Sequence, residues 1–86
     1  MELKELQATY DSRKSFYGKA HLIESDDKVE LQSYDTIVAT YYKNEDKFVL
    51  HGKYSPTTTR HQKEFGKQLG FRAKNSKELF DKYLEV

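Results

Sequence analysis

Tyr54-Ser-Pro-Thr-Thr-Thr-Arg-His-Gln-Lys-Glu-Phe-Gly-Lys-Gln-Leu-Gly-Phe71 marks where the chain changes texture, from strands before it to helices after it. Ser55 is suited to cap a helix because its hydroxyl accepts an orphan backbone N–H. Pro56 fits the first helical position, where a missing N–H costs nothing and a fixed φ helps. Phe65 and Leu69, four residues apart, form an apolar stripe, and Gly70 is placed to take the left-handed conformation that ends a helix. A second helix is expected after it. Asn75 or Ser76 caps it, Glu78 completes a capping box if Asn75 is the cap, and Leu79, Phe80, Tyr83 and Leu84 form its apolar face.

Upstream, the pattern is β. Phe16, Gly18, Ala20 and Leu22 alternate with Tyr17, Lys19 and His21, and Val29 and Leu31 alternate with Lys28, Glu30 and Gln32. Thr36-Ile-Val-Ala-Thr-Tyr-Tyr42 is rich in β-branched and aromatic residues, and Lys47 to Tyr54 reads as a fourth strand. The connections Ser25-Asp26-Asp27, Ser33-Tyr34-Asp35 and Asn44-Glu45-Asp46 use short polar side chains that bond their own backbone. Connections this short favour antiparallel neighbours, since a parallel crossover needs a dozen residues or more. The expected fold class is α+β: a four-stranded antiparallel meander covered by two C-terminal helices, in one domain over residues 1–86. Residues 1–9 read as a short helix or an arm.

Composition narrows the chemistry. The 86 residues contain no cysteine, which excludes disulfides, thiolate metal sites and a cysteine nucleophile. A chain this short buries about 60% of its unfolded surface, leaving little room for a deep pocket. Seven tyrosines and five phenylalanines supply core area from few positions. No apolar run approaches the roughly 20 residues of a membrane span, and the charged start lacks a signal-peptide segment. A cytoplasmic protein is expected. His21, His51 and His61 are scattered, so no metal site is expected. No nucleophile motif or glycine-rich phosphate loop is present, so neither an enzyme nor a cofactor is expected.

Charge is uneven. Glu24 to Asp46 holds seven acids against two bases, and Lys53 to Lys77 holds seven bases against one acid. Such asymmetry bears on partners and association rates. At 100° per residue Arg60, Lys63 and Lys67 share one helix face opposite Phe65 and Leu69, and Arg72 and Lys74 extend it. Glu64 lies among these cations and can pair with Arg60 or Lys67. Thr57, Thr58 and Thr59 in the first turn, near Arg60 and Lys63, are a second candidate for binding phosphate. Arg13, Lys14 and Tyr17 interleave cations with an aromatic on an edge strand, a pattern suited to unpaired bases. Edge lysines equally discourage strand aggregation, and an exposed edge can pair in a symmetric dimer, although no sequence signal demands one.

Three blocks, Asp11-Ser-Arg-Lys-Ser-Phe-Tyr-Gly-Lys-Ala20, Ser33-Tyr-Asp-Thr-Ile-Val-Ala39 and Tyr54 to Phe65, resemble a family of small domains of unknown function in phages and mobile elements of Firmicutes. That family often has an apolar residue where Gln62 stands and a bulky one where Gly66 stands. The resemblance implies a small non-enzymatic accessory protein and transfers no binding residue. A bipolar domain of this kind suits an inhibitor that binds a host defence nucleoprotein, of the anti-CRISPR type. Its acidic segment would mimic DNA, or its basic helix would touch the guide. The alternatives are direct binding of DNA or RNA through the basic helix and an interaction module within a phage complex.

Overall fold

A computed structural model describes residues 2–6 and 19–85. Five strands come first: β1 (Glu2–Glu5), β2 (Ala20–Glu24), β3 (Lys28–Ser33), β4 (Thr36–Tyr42) and β5 (Lys47–Leu50). Two helices follow, α1 (Pro56–Gln68) and α2 (Ser76–Tyr83). The sheet order is β1-β2-β3-β4-β5 with every neighbouring pair antiparallel. The expected four-strand meander followed by two helices is therefore present. The N-terminal segment differs from expectation: residues 2–5 form a fifth strand instead of a helix or an arm. Its register explains why, since Leu3 faces Ile23 across the ladder and Leu6 N–H donates to the Ala20 carbonyl at 2.9 Å. Leu6 is then 1% exposed, and burying it outweighs any local helical preference of so short a segment.

The predicted fourth strand stops early, at Leu50 instead of Tyr54. His51 N–H still reaches the Val38 carbonyl at 3.0 Å, but the Gly52 carbonyl accepts from the Gln62 side chain and leaves the ladder. On its outer side β5 meets the chain after α2, through a parallel bridge from Leu50 to Leu84 and a 2.7 Å bond from Glu85 N–H to the Leu50 carbonyl. Of the first predicted strand, only the part from Lys19 onward is described.

Both helices cover one face of the sheet. The core joins Leu6, Ala20, Leu31, Ala39, Phe48 and Leu50 of the sheet side to Phe65, Leu79 and Phe80 of the helices. Phe48 is its centre: its ring lies 5.7 Å from Phe65, 5.4 Å from Phe71 and 5.2 Å from Tyr83.

The helix ends follow the local signals. Ser55 Oγ accepts from Thr58 N–H at 3.2 Å. At the other end Gly70 has φ 93°, Gly70 N–H donates to the Lys67 carbonyl and Phe71 N–H to the Gly66 carbonyl, a Schellman closure. Asn75 caps α2 through a 2.9 Å bond from Glu78 N–H. Glu78 does not complete the box on Asn75; its carboxylate takes the Lys74 N–H at 3.4 Å and the Lys82 ammonium at 3.2 Å. The bond from Lys82 first, and then that from Lys74, holds the Glu78 carboxyl below its ordinary range.

The inner face of α1 is more polar than its apolar stripe suggests. Thr58, His61, Gln62 and Glu64 are all buried beside Phe65 and Gly66. Ser33 Oγ, itself buried, lies 2.9 Å from Thr58 Oγ1 and 2.8 Å from His61 Nδ1, tying the end of β3 to the first two turns of α1. Gln62 Nε2 donates to the carbonyls of Val38 and Gly52 at 3.0 and 3.1 Å. Ser33→Ala removes the hydroxyl that Thr58 and His61 share inside the fold. It is expected to cost about 1–3 kcal/mol, read from the midpoint of chemical denaturation.

Candidate functional site

The described candidates divide sharply once they are placed on the fold. Arg60 and Lys63 are half-buried and line a shallow groove of about 420 Å³ with Tyr54, Pro56, Thr59 and Ser76. The groove lies where the outward side of α1 meets the start of α2. No carboxylate is among the residues that line it. Lys67 is half-buried one turn further along, and Arg72 and Lys74 are exposed beyond the helix end. Lys67 and Arg72 are each already engaged in an interaction. Lys53, next to Tyr54, holds its ammonium 5.3 Å from the centre of the Phe80 ring.

Two expectations on α1 change. Thr58 is 4% exposed, and its hydroxyl contacts Ser33 and Ser55, so it serves the fold and is not presented to a phosphate. Thr59 Oγ1 donates to the Ser55 carbonyl at 3.2 Å, and Thr57 is half-buried. Glu64 is 2% exposed and accepts from Gln68 Nε2 at 2.6 Å, so it does not sit out among the cations. On a helical wheel it lies about 40° from Arg60 and about 60° from His61. That boundary position faces inward here. Arg13, Lys14 and Tyr17 lie outside the described residues.

Sequence reasoning did not select Tyr54 or Ser76 for this surface. Tyr54 read as a strand end; its place immediately before a Ser-Pro helix cap was the available signal. Its side chain is 43% exposed in a protein that buries Phe48, Phe65 and Phe80. Ser76 belongs to a different helix, and nothing local connects it with Arg60.

The acidic residues gather elsewhere. The β2–β3 and β4–β5 connections lie at one end of the sheet, joined by a 2.9 Å bond from Lys43 N–H to the Asp27 carbonyl. Glu24, Asp26, Asp27, Glu45 and Asp46 sit at this end together with Lys28, Lys43 and Lys47. Lys43 Nζ is 2.8 Å from Glu24 and also donates to the Ser25 carbonyl. Asp46 accepts from the Tyr41 hydroxyl at 2.8 Å, and that bond raises the Tyr41 pKa. The first turns of α1 stand at the other end of β3, about 17 Å away for six residues of strand.

A hydroxyl–imidazole–carboxylate series is present at the edge of the sheet. His51 Nε2 is 2.8 Å from Thr40 Oγ1, and His51 Nδ1 is 3.3 Å from Glu85 Oε1. Its order is that of a hydrolytic triad. Thr40 is 2% exposed within the sheet, however, so a substrate carbonyl has no approach to its hydroxyl. The series fastens the segment after α2 to β4. Among the described residues no group of three or more acids and histidines is placed to hold a metal ion, and no helix is long and apolar enough to cross a membrane.

These features define a small α+β domain, an antiparallel meander roofed by two helices with a cationic groove on the outer side of the first. The chain belongs to the Family of unknown function (DUF8033), which it matches over residues 4–82. No curated protein and no solved structure matches it.

Proposed function

We propose that the protein is a non-catalytic binding module that holds nucleic acid, free or within a nucleoprotein complex, against the Arg60–Lys63 side of α1. The observation that supports this reading is the groove: two long cations, an exposed tyrosine and two hydroxyl residues converge there with no carboxylate in the lining. Phosphate contacts by such cations release condensed counterions, which provides affinity without a deep pocket. The +1 net charge does not oppose this, because a cluster of five acids, Glu24, Asp26, Asp27, Glu45 and Asp46, lies at the far end of the sheet.

The same surface serves the wider role of a phage or mobile-element protein that inhibits a host defence nucleoprotein of CRISPR type. The groove would engage a guide or displaced strand in that complex. Polyanion mimicry by the acidic end is the weaker route, since its five acids share the space with three lysines and one carboxylate is already paired.

Titration of labelled DNA and RNA oligonucleotides across salt tests the reading. Binding is expected at about 50 mM salt and to weaken linearly in log–log form. The double substitution Arg60→Ala, Lys63→Ala is expected to reduce that slope by about 0.7–0.9 per cation removed. Absence of any shift at low salt, together with undisturbed cleavage by CRISPR-type effector–guide complexes in excess protein, would sink the proposal.

A further inference from the structure

Resting on that reading, we infer that the groove takes single-stranded nucleic acid, with one unpaired base stacked on the Tyr54 ring and the adjoining phosphate held by Arg60 and Lys63. The position of the ring carries the argument. Tyr54 stands at the edge of the groove, 43% exposed, and shares its lining with both cations. The ring is seated: a Cβ at Gly52 would lie 3.3 Å from the Tyr54 hydroxyl oxygen and 3.4 Å from Cζ. A side chain at 52 would crowd the phenol end, and glycine leaves room for the ring beside the backbone.

The chemistry of the partner follows. In a duplex each base face is covered by its neighbours, and only edges and phosphates are offered. An aromatic side chain stacks on bases that have been splayed out or never paired. Cations alone would not discriminate, since both forms carry phosphates. A tyrosine beside two cations rewards a strand that presents a base face and a phosphate together. A groove of about 420 Å³ is of the size that accepts a small ligand group. Thr59 and Ser76 supply hydroxyls at its wall, and a single hydroxyl, which both donates and accepts, does not distinguish one base from another. Weak dependence on base identity is therefore expected, because every base has a stacking face.

The test compares an oligothymidylate of about 12 nucleotides, within the usual site size of such modules, with a mixed-sequence duplex of equal length at low salt. The single strand is expected to bind more tightly. Tyr54→Ala is expected to weaken it about tenfold, within the range reported for one stacked base, while the salt slope and the duplex affinity stay unchanged. Tyr54→Phe is expected to keep the affinity. Tyr34→Ala removes another exposed tyrosine, one that contacts His61 and lies outside the groove, and is expected to change nothing. Circular dichroism confirms that each variant is folded. Equal loss on both nucleic acids, no loss on either, or tighter binding of the duplex overturns this inference and leaves the polyanion reading intact. Failure of the unaltered protein to bind either form overturns this inference, and together with undisturbed effector cleavage it overturns the polyanion reading as well.

Discussion

Phe48→Ala is expected to leave the domain unfolded, or close to it, at room temperature. Phe48 is 3% exposed, and its ring meets three others: Phe65 edge-on, Phe71 stacked, and Tyr83 edge-on. Those three rings come from α1, the α1–α2 connection and α2, so one β5 side chain touches every part of the helical layer. Truncating a buried phenylalanine costs about 3–5 kcal/mol, and each lost ring pair adds about 0.5–1.5 kcal/mol beyond its area. A domain of 86 residues has about 4–13 kcal/mol in total. The loss is thus comparable with the whole. Guanidinium denaturation followed by circular dichroism gives the answer. Phe48→Leu, which keeps most of the volume, is expected to recover more than half. A loss below about 1 kcal/mol for Phe48→Ala would mean that the helices do not rest on this ring.

Gly66→Leu is the second large effect, expected to cost about 3 kcal/mol, at the upper end for overpacking. A Cβ at position 66 would lie 3.1 Å from Phe48 Cε2 and Cζ and 3.1 Å from the Phe71 carbonyl oxygen. The phenylalanine edge can yield slightly. The carbonyl is backbone, and its residue is tied to Gly66 by the 2.8 Å Schellman bond from Phe71 N–H. The glycine is therefore a contact surface, and a bulky residue there would force α1 away from β5. Gly66→Ala separates the two terms. It gains about 1 kcal/mol of helix propensity and loses a similar amount to the squeeze, so its stability is expected to stay within about 1 kcal/mol of the parent. A stabilising Gly66→Leu would show that the helix has slack at this point.

Neither substitution touches the groove. Tyr54, Arg60 and Lys63 are outside the buried core, so binding and stability are separable in this molecule. Loss of binding in the Arg60→Ala, Lys63→Ala protein would then report on the surface and not on unfolding.

The readable parts of the sequence were those decided within a few residues. Ser55, Gly70 and Asn75 sit where the capping bonds need them, because each of those bonds closes over three to five residues. The turn residues and the strand alternation of 28–42 were legible for the same reason, and they implied the antiparallel order. Arg60 and Lys63 could be assigned to the outward side of α1 from helical angle alone.

Contacts across the chain decided the rest. Leu6 is drawn into the core and makes residues 2–5 a strand, although nothing in so short a segment specifies that. Thr58, His61 and Gln62 turn inward because Ser33 and Val38, 24 to 28 residues away, offer them partners. A polar side chain chooses inside or outside by whether its hydrogen bonds can be met there. The groove arises likewise, where a tyrosine before α1, two cations on it and a serine at the start of α2 come together. Position along the chain set the charge of that surface; packing of one helix start against another gave it a shape.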